Sequence, residues 1–300
     1  MRFLRKRYRI VSLDELCLEM ENPATSGQAI AVTFDDGYRD LYTQAFPILQ
    51  KYRIPATIFL IANSVESGEV SWYDRIFLAT HVFPEKVLEL TLDEPRSFEL
   101  TTPASRVRAA TQIVACLRRL SDARRRECCA DLERKVALPP EQLADRMLTW
   151  PQIREMQKGG IAFGSHTVSH PVVSRLSATA AEEELRQSKR VLEERLGKPV
   201  EDFAFPFGQP ADCGVAAEEP LRRCGYRSAV TTTWGVNSAN TGRYRLRRVQ
   251  IGEERSLALF AFRLGQMFLN VGDRGPGADV VARAIPRASR AEAAPRTISS

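Results

Sequence analysis

Histidine is scarce in this 300-residue chain: there are three, at positions 81, 166 and 170. No apolar run approaches the roughly 18 residues a membrane-crossing helix needs. No apolar stretch follows the basic first residues as an export signal requires. The six cysteines, at 17, 116, 128, 129, 213 and 224, form no C-x-x-C pair and no dense framework, which excludes a disulfide-stapled scaffold. No fixed-period repeat exists, which excludes a solenoid. With 44% hydrophobic and 27% charged residues, collagen, coiled coil and wholesale disorder are excluded too. These absences predict a soluble protein with reduced thiols, cytoplasmic as the sequence is written.

The formal charge of +6 raises the question of a nucleic-acid partner. Residues 1–10 carry five basic and no acidic side chains, and residues 105–135 carry nine basic against four acidic. No aromatic residue interleaves with that second run, so a base-stacking platform is missing and solvated helix faces are the better reading. No nucleic-acid partner is expected.

What is present is an alternation of short apolar runs with helical periodicity, the pattern of βα units around a parallel sheet. Strands are predicted at 29–34, 56–61, 161–163, 202–205, 227–232 and 246–251, and helices at 41–51, 150–158, 177–196 and 255–268. Ser177 and Gly197 are the caps expected of the third helix. Residues 82–148 are predicted as a helical insertion, on the spacing of Val107, Ile113, Val114, Leu117 and Leu120. Residues 271–300, rich in Gly, Pro, Ala, Arg and Ser, are predicted to be a disordered tail. One catalytic domain over 1–270 is the economical reading.

Three constellations carry chemistry. Asp35 and Asp36 stand together at the end of the first predicted buried strand, before Gly37. Adjacent carboxylates at a strand's C-terminal end invite a cation, although Asp-Gly also makes ordinary turns. Next, His166 and His170 lie four apart just past the 161–163 strand, a spacing that lets both imidazoles face one metal. Thr167 occupies the place of the metalloprotease glutamate, so a peptidase is not implied. An Asp36, His166, His170 set leaves coordination positions open, which implies catalysis rather than structure. Asp35 is then the natural base for a water on that metal. Third, Pro206 fixes a turn in which the Phe207 N–H can serve an oxyanion and its ring can wall a pocket, although core strands often end at Pro or Gly.

In this order the motifs resemble the polysaccharide deacetylase family, the NodB-homology carbohydrate esterases. T-F-D-D-G-Y, ending at Tyr38, is similar to the family's first motif, H-T-V-S-H to its second, and F-A-F-P-F-G to a variant of its third. The flanking Y-R-I-P-A-T-I-F-L and the block from Leu148 to Ser174 extend the likeness over about residues 10–265. The resemblance implies an α/β fold, a distorted (β/α) barrel of the polysaccharide deacetylase type. It implies hydrolysis of acetyl groups on an N-acetylated oligo- or polysaccharide. It implies Asp35 as base, Asp36, His166 and His170 as ligands of zinc or another divalent ion such as Co2+ or Ni2+, and Phe207, with Pro206 and Tyr38 beside it, at the oxyanion and substrate.

The chain departs from that pattern in three places. Ala204 stands where the third motif usually has an arginine that holds the catalytic aspartate, and Arg248 is the expected substitute. No histidine follows His170, so the family's late histidine, which protonates the leaving amine, has no counterpart; Asp74, in W-Y-D, is a candidate to act near the site. Relatives also have an earlier strand with a Tyr-His motif, so a truncated start is expected. The alternatives are a catalytically impaired glycan-binding relative, or a hydrolase of another non-peptide C–N bond.

Overall fold

The computed structural model describes residues 1–21, 29–214, 218–252 and 256–269. The chain forms two compact units, Met1–Glu253 and Glu254–Ser300, and every motif residue lies in the first.

Helix α1 (Arg2–Arg7), strand β1 (Arg9–Val11) and helix α2 (Leu13–Glu21) come first. Ser12 starts α2: its Oγ accepts from Glu15 N at 3.1 Å while Glu15 accepts from Ser12 N at 2.8 Å, a reciprocal cap. Strand β2 (Ala29–Phe34) follows, then a π-helical turn (Leu41–Ala45) running into α3 (Phe46–Tyr52). Pro47 has no N–H to give, which interrupts the regular ladder at that join. Strand β3 (Ala56–Leu60), α4 (Ala62–Ser67), α5 (Trp72–Val82), β4 (Val87–Thr91), β5 (Pro95–Glu99), α6 (Pro103–Leu117), α7 (Asp122–Lys135) and α8 (Pro140–Leu143) come next. The unit continues with α9 (Trp150–Lys158), β6 (Ile161–Ser165), α10 (Ala178–Leu196), β7 (Asp202–Ala204), α11 (Pro210–Cys213), α12 (Glu218–Arg223), β8 (Ser228–Trp234) and β9 (Leu246–Arg248).

Seven strands form one parallel sheet in the order β1-β2-β3-β6-β7-β8-β9. β3 is buried on both faces, as an unbroken A-T-I-F-L run in a parallel sheet should be. Ile58 and Leu60 pack outward against the helices in the main core. Phe59 points the other way, into a cluster with Ala204, Val230, Leu246 and, from α2, Leu13 and Cys17. Gly164 makes room for that ring, since a Cβ there would meet Phe59 at 2.5 Å. The sheet curls enough for Arg248 on edge strand β9 to bond Asp35 just past β2. This is the distorted (β/α) barrel, with α2 packed on its interior cluster. The register sets Leu60 beside Ser165, so the C-terminal strand ends, and the motif loops after them, gather at one end.

The 82–148 segment carries the helices expected, α6, α7 and α8, and adds a pair of strands. β4 and β5 pair as an antiparallel hairpin, Leu88 opposite Phe98 and Leu90 opposite Arg96. The cause is the period-two alternation in V-L-E-L-T, which buries Leu88 and Leu90 and exposes the residues between. With α5, α6 and α7 the hairpin encloses a second core that begins at Trp72 and includes Ile76, Leu100, Ile113 and Leu132. The expected closing helix is α13 (Leu257–Leu269), which belongs to the second unit. The tail expected at 271–300 lies outside the described residues.

Candidate metal centre

β2 delivers Asp35 and Asp36 to a sharp turn. Asp36 (φ 72°) and Gly37 (φ 86°) are both left-handed, and a Cβ on Gly37 would meet Leu60 at 2.7 Å, so only glycine fits there. The turn lets the two carboxylates face different partners. Asp36 Oδ1 lies 3.4 Å from His166 Nε2 and 3.5 Å from His170 Nε2. Both rings are buried. His166 Nδ1 sits 2.7 Å from the Ala204 carbonyl, and donating its proton there leaves Nε2 with the lone pair facing Asp36.

Burial alone would raise Asp36, but the His166 and His170 rings facing it and the nearby Tyr73 hydroxyl hold it at about 2. Burial and the neighbouring His166 push His170 down to about 3, so its ring is neutral at ordinary pH. His166 moves up: burial opposes its charge, but in the charged ring Asp36 can accept the Nε2 proton, and the charges of Asp35 and Asp36 add to outweigh that.

These donors fit a divalent metal. Asp36 Oδ1 and His170 Nδ1 are buried atoms without a hydrogen-bond partner. One ligand atom from each of Asp36, His166 and His170 lies within 4.8 Å of the others. Ligands about 2.0–2.1 Å from a tetrahedral zinc stand roughly 3.3–3.4 Å apart, close to the two separations observed. The donor set, two imidazoles and one carboxylate, suits zinc, cobalt or nickel alike.

Asp35 turns to Arg248, whose guanidinium donates to Oδ1 at 2.7 Å and Oδ2 at 2.8 Å. Arg248 is itself anchored by Nε to the Thr231 carbonyl at 2.8 Å. Thus an arginine from β9 holds Asp35, while the Ala204 carbonyl serves His166.

Phe207 completes one wall. It is left-handed (φ 59°), its carbonyl accepts from Thr232 Oγ1 at 2.6 Å, and its ring centroid is 4.9 Å from that of His170. Pro206 accepts from Gly208 N at 2.6 Å, which tightens the turn. Among the described residues nothing accepts from the Phe207 N–H. Tyr38 donates to both Asp74 oxygens, at 2.9 and 2.8 Å, and Ser71 Oγ donates to Oδ2 at 2.8 Å. Burial raises the Asp74 carboxyl. Tyr73, read from the W-Y-D segment only as an aromatic equally able to stack on a sugar or to sit in the core, links the two groups: its hydroxyl is 3.0 Å from that of Tyr38 and its ring 4.8 Å from His170. The W-Y-D tripeptide was its only signal. Trp72 is buried, its Nε1 donating to the His170 carbonyl at 2.9 Å, whereas Trp234 is 43% exposed.

The polysaccharide deacetylase family model matches residues 22–229. The chain belongs to the polysaccharide deacetylase family. It is 23% identical to YxkH of Bacillus subtilis, whose name assigns it to the polysaccharide deacetylases, over 78% of this chain and 56% of that one. The chain thus spans about half the length of that relative. A 59-residue stretch, 20% of each chain, is 37% identical to the poly-beta-1,6-N-acetyl-D-glucosamine N-deacetylase of Staphylococcus epidermidis. The fold is similar to that of the deacetylase PplD of Streptococcus pyogenes, solved with acetate, at TM-score 0.57 and 22% identity over 88% of this chain and 81% of that one. It is also similar to a de-N-acetylase of Aggregatibacter actinomycetemcomitans, at 0.52 and 17% over 87% and 86%. No helix among the described residues of this chain is long and apolar enough to cross a membrane.

Proposed function

We propose that this chain is a metal-dependent deacetylase that removes acetyl groups from an N-acetylated amino-sugar glycan. The observation that carries the reading is the convergence of Asp36, His166 and His170 beside an Asp35 held by Arg248. Bound there, zinc or a similar ion supplies Lewis-acid activation of water and of the acetyl carbonyl. Asp35, its lone pairs aimed by Arg248, takes the proton of the attacking water. The Phe207 N–H donates to the oxygen that gains charge as the carbonyl carbon becomes tetrahedral. Trp72, Tyr73 and Phe207 pack around His170 and exclude bulk water on that side. The leaving amine needs a proton, and the Asp74–Tyr38–Tyr73 chain of hydrogen bonds is the route available in place of the absent late histidine. An amino-sugar polymer is the preferred substrate because one matching relative is named for a poly-β-1,6-linked N-acetylglucosamine.

The missing histidine favours a second reading, a glycan-binding relative with impaired turnover. Acetate release from N-acetylated and O-acetylated oligosaccharides separates the two. Release by zinc-reconstituted protein and not by chelated protein supports the deacetylase; oligosaccharide binding with no release from any substrate supports the binder.

A further inference from the structure

Three residues, Thr167, Val168 and Ser169, separate the two histidines, and their backbone decides whether both rings can face Asp36. Thr167 (φ 68°) and His170 (φ 56°) are left-handed, a conformation unfavourable for a residue with a side chain. Such a turn persists only where its surroundings over-determine it. It is held on three sides here. The first amides of α4, Ala62 N and Asn63 N, donate to the Thr167 and Val168 carbonyls, each at 3.0 Å. Within the turn, His170 N donates to Thr167 Oγ1 at 3.0 Å. On the third side stands a single carboxylate, Glu184 of α10. Its Oε2 accepts from Val168 N at 2.8 Å and Ser169 N at 3.1 Å, and its Oε1 accepts from Ser169 Oγ at 2.7 Å.

We propose that Glu184 is a positioning residue of the metal centre: it holds the His166–His170 turn in the form that aims both Nε2 atoms at Asp36. This inference rests on the metal-centre reading above. Glu184 belongs to an E-E-E run whose other two members serve the solvent side, Glu182 pairing with Arg186 and Arg223, and Glu183 with Arg186. Glu184 alone of the three turns to the motif loop. One helical turn later, the buried Ser188 Oγ is 2.8 Å from Ser165 Oγ, so α10 is locked to β6 next to the position from which Glu184 reaches the loop. Two consecutive N–H groups form a concavity that suits an anion, and a carboxylate fills it with both oxygens in use. Removing it strands two amides and frees a left-handed turn to relax, which misaims the imidazoles without touching them. Loss of such outer partners typically weakens metal binding ten- to hundredfold.

Titration of the metal-free full chain with Co2+, followed by visible absorption, tests this without any substrate. Glu184→Ala should bind Co2+ about 10- to 100-fold more weakly than wild type, with an altered ligand-field spectrum. Glu184→Gln, which keeps an oxygen for the two amides, should stay within about threefold. Glu183→Ala, on the solvent side, should match wild type. Wild-type affinity and spectrum in folded Glu184→Ala overturn the proposal. If that variant does not fold by circular dichroism, Glu184→Asp, which keeps the charge and shortens the reach, takes its place with the same expected direction, and unchanged affinity overturns the proposal. A folded wild type that takes up no Co2+ instead overturns the metal-centre reading itself.

Discussion

Arg248, on the last strand of the sheet, grips both carboxylate oxygens of Asp35, which follows the second strand, at 2.7 and 2.8 Å. Only 16% of the arginine side chain and 26% of the aspartate side chain are exposed, so the pair is mostly shielded and its geometry is fixed rather than averaged. It joins two strands that do not pair with each other, and it leaves Asp36 alone to face the histidines.

Replacing Arg248 with lysine keeps the charge and loses the two-pronged grip. Arg248→Lys should lower kcat about 10- to 100-fold, because a misaimed base is a poor one, while leaving zinc affinity within about twofold. Steady-state acetate release and zinc titration on the same preparations check this; a large loss of zinc affinity would assign the pair to metal binding instead.

Asp74 bonds Tyr38 and Ser71 and contacts no metal-ligand candidate by hydrogen bond. Asp74→Asn should therefore depress turnover about tenfold or more with metal content unchanged. Full activity in that variant removes Asp74 from the proton route.

The insertion reaches the site through Arg118, at the C-cap of α6. Its guanidinium lies 4.3 Å over the Phe207 ring and donates at 2.6 Å to Asp212 Oδ2, which also accepts from Gln209 N. That clamp holds the 206–209 turn. Arg118→Gln should reduce kcat about tenfold with little change in KM or zinc content, since only the oxyanion donor shifts. Equal kcat values in wild type and variant would make the insertion a bystander.

Much of this was legible in the chain, and the residues say why. β2 and β3 read as buried parallel strands because A-I-A-V-T-F and A-T-I-F-L are short, apolar and bounded by turn residues. α10 was marked by its caps, Ser177 Oγ accepting from Ala180 N and Gly197 turning left-handed at φ 66°. β1 escaped notice because three residues carry no period, and the β4–β5 hairpin was masked by the charged helices after it. In the site, Asp36, His166 and His170 stood out by scarcity and spacing. Tyr73 and Glu184 stood out less: an aromatic beside a tryptophan reads as core as readily as it reads as a sugar-stacking ring, and a Glu-Glu-Glu run reads as a solvated face. Their roles arise from contacts between distant segments, which spacing cannot encode.

Away from the site, burial raises the Asp202 carboxyl from 3.8 to about 6, while Ser228 Oγ donates to it at 2.6 Å. The folded chain then holds this proton more tightly than the unfolded one. Stability from this group is full below about pH 4 and is lost as pH rises through 6. Asp202→Asn keeps an acceptor for Ser228 and removes the charge. Its unfolding free energy should gain about 2–3 kcal/mol on wild type between pH 4 and pH 7.5. Denaturant melts at both pH values check this, and a difference independent of pH contradicts it.

Asp36, His166 and His170 are proposed to form one metal centre. Calorimetric titration of metal-free protein with Zn2+, in wild type and in Asp36→Ala, tests it most directly. Wild type should bind one equivalent of Zn2+, and the folded variant should bind it at least about a hundredfold more weakly. No uptake by folded wild type, or equal affinity in the two proteins, would contradict it.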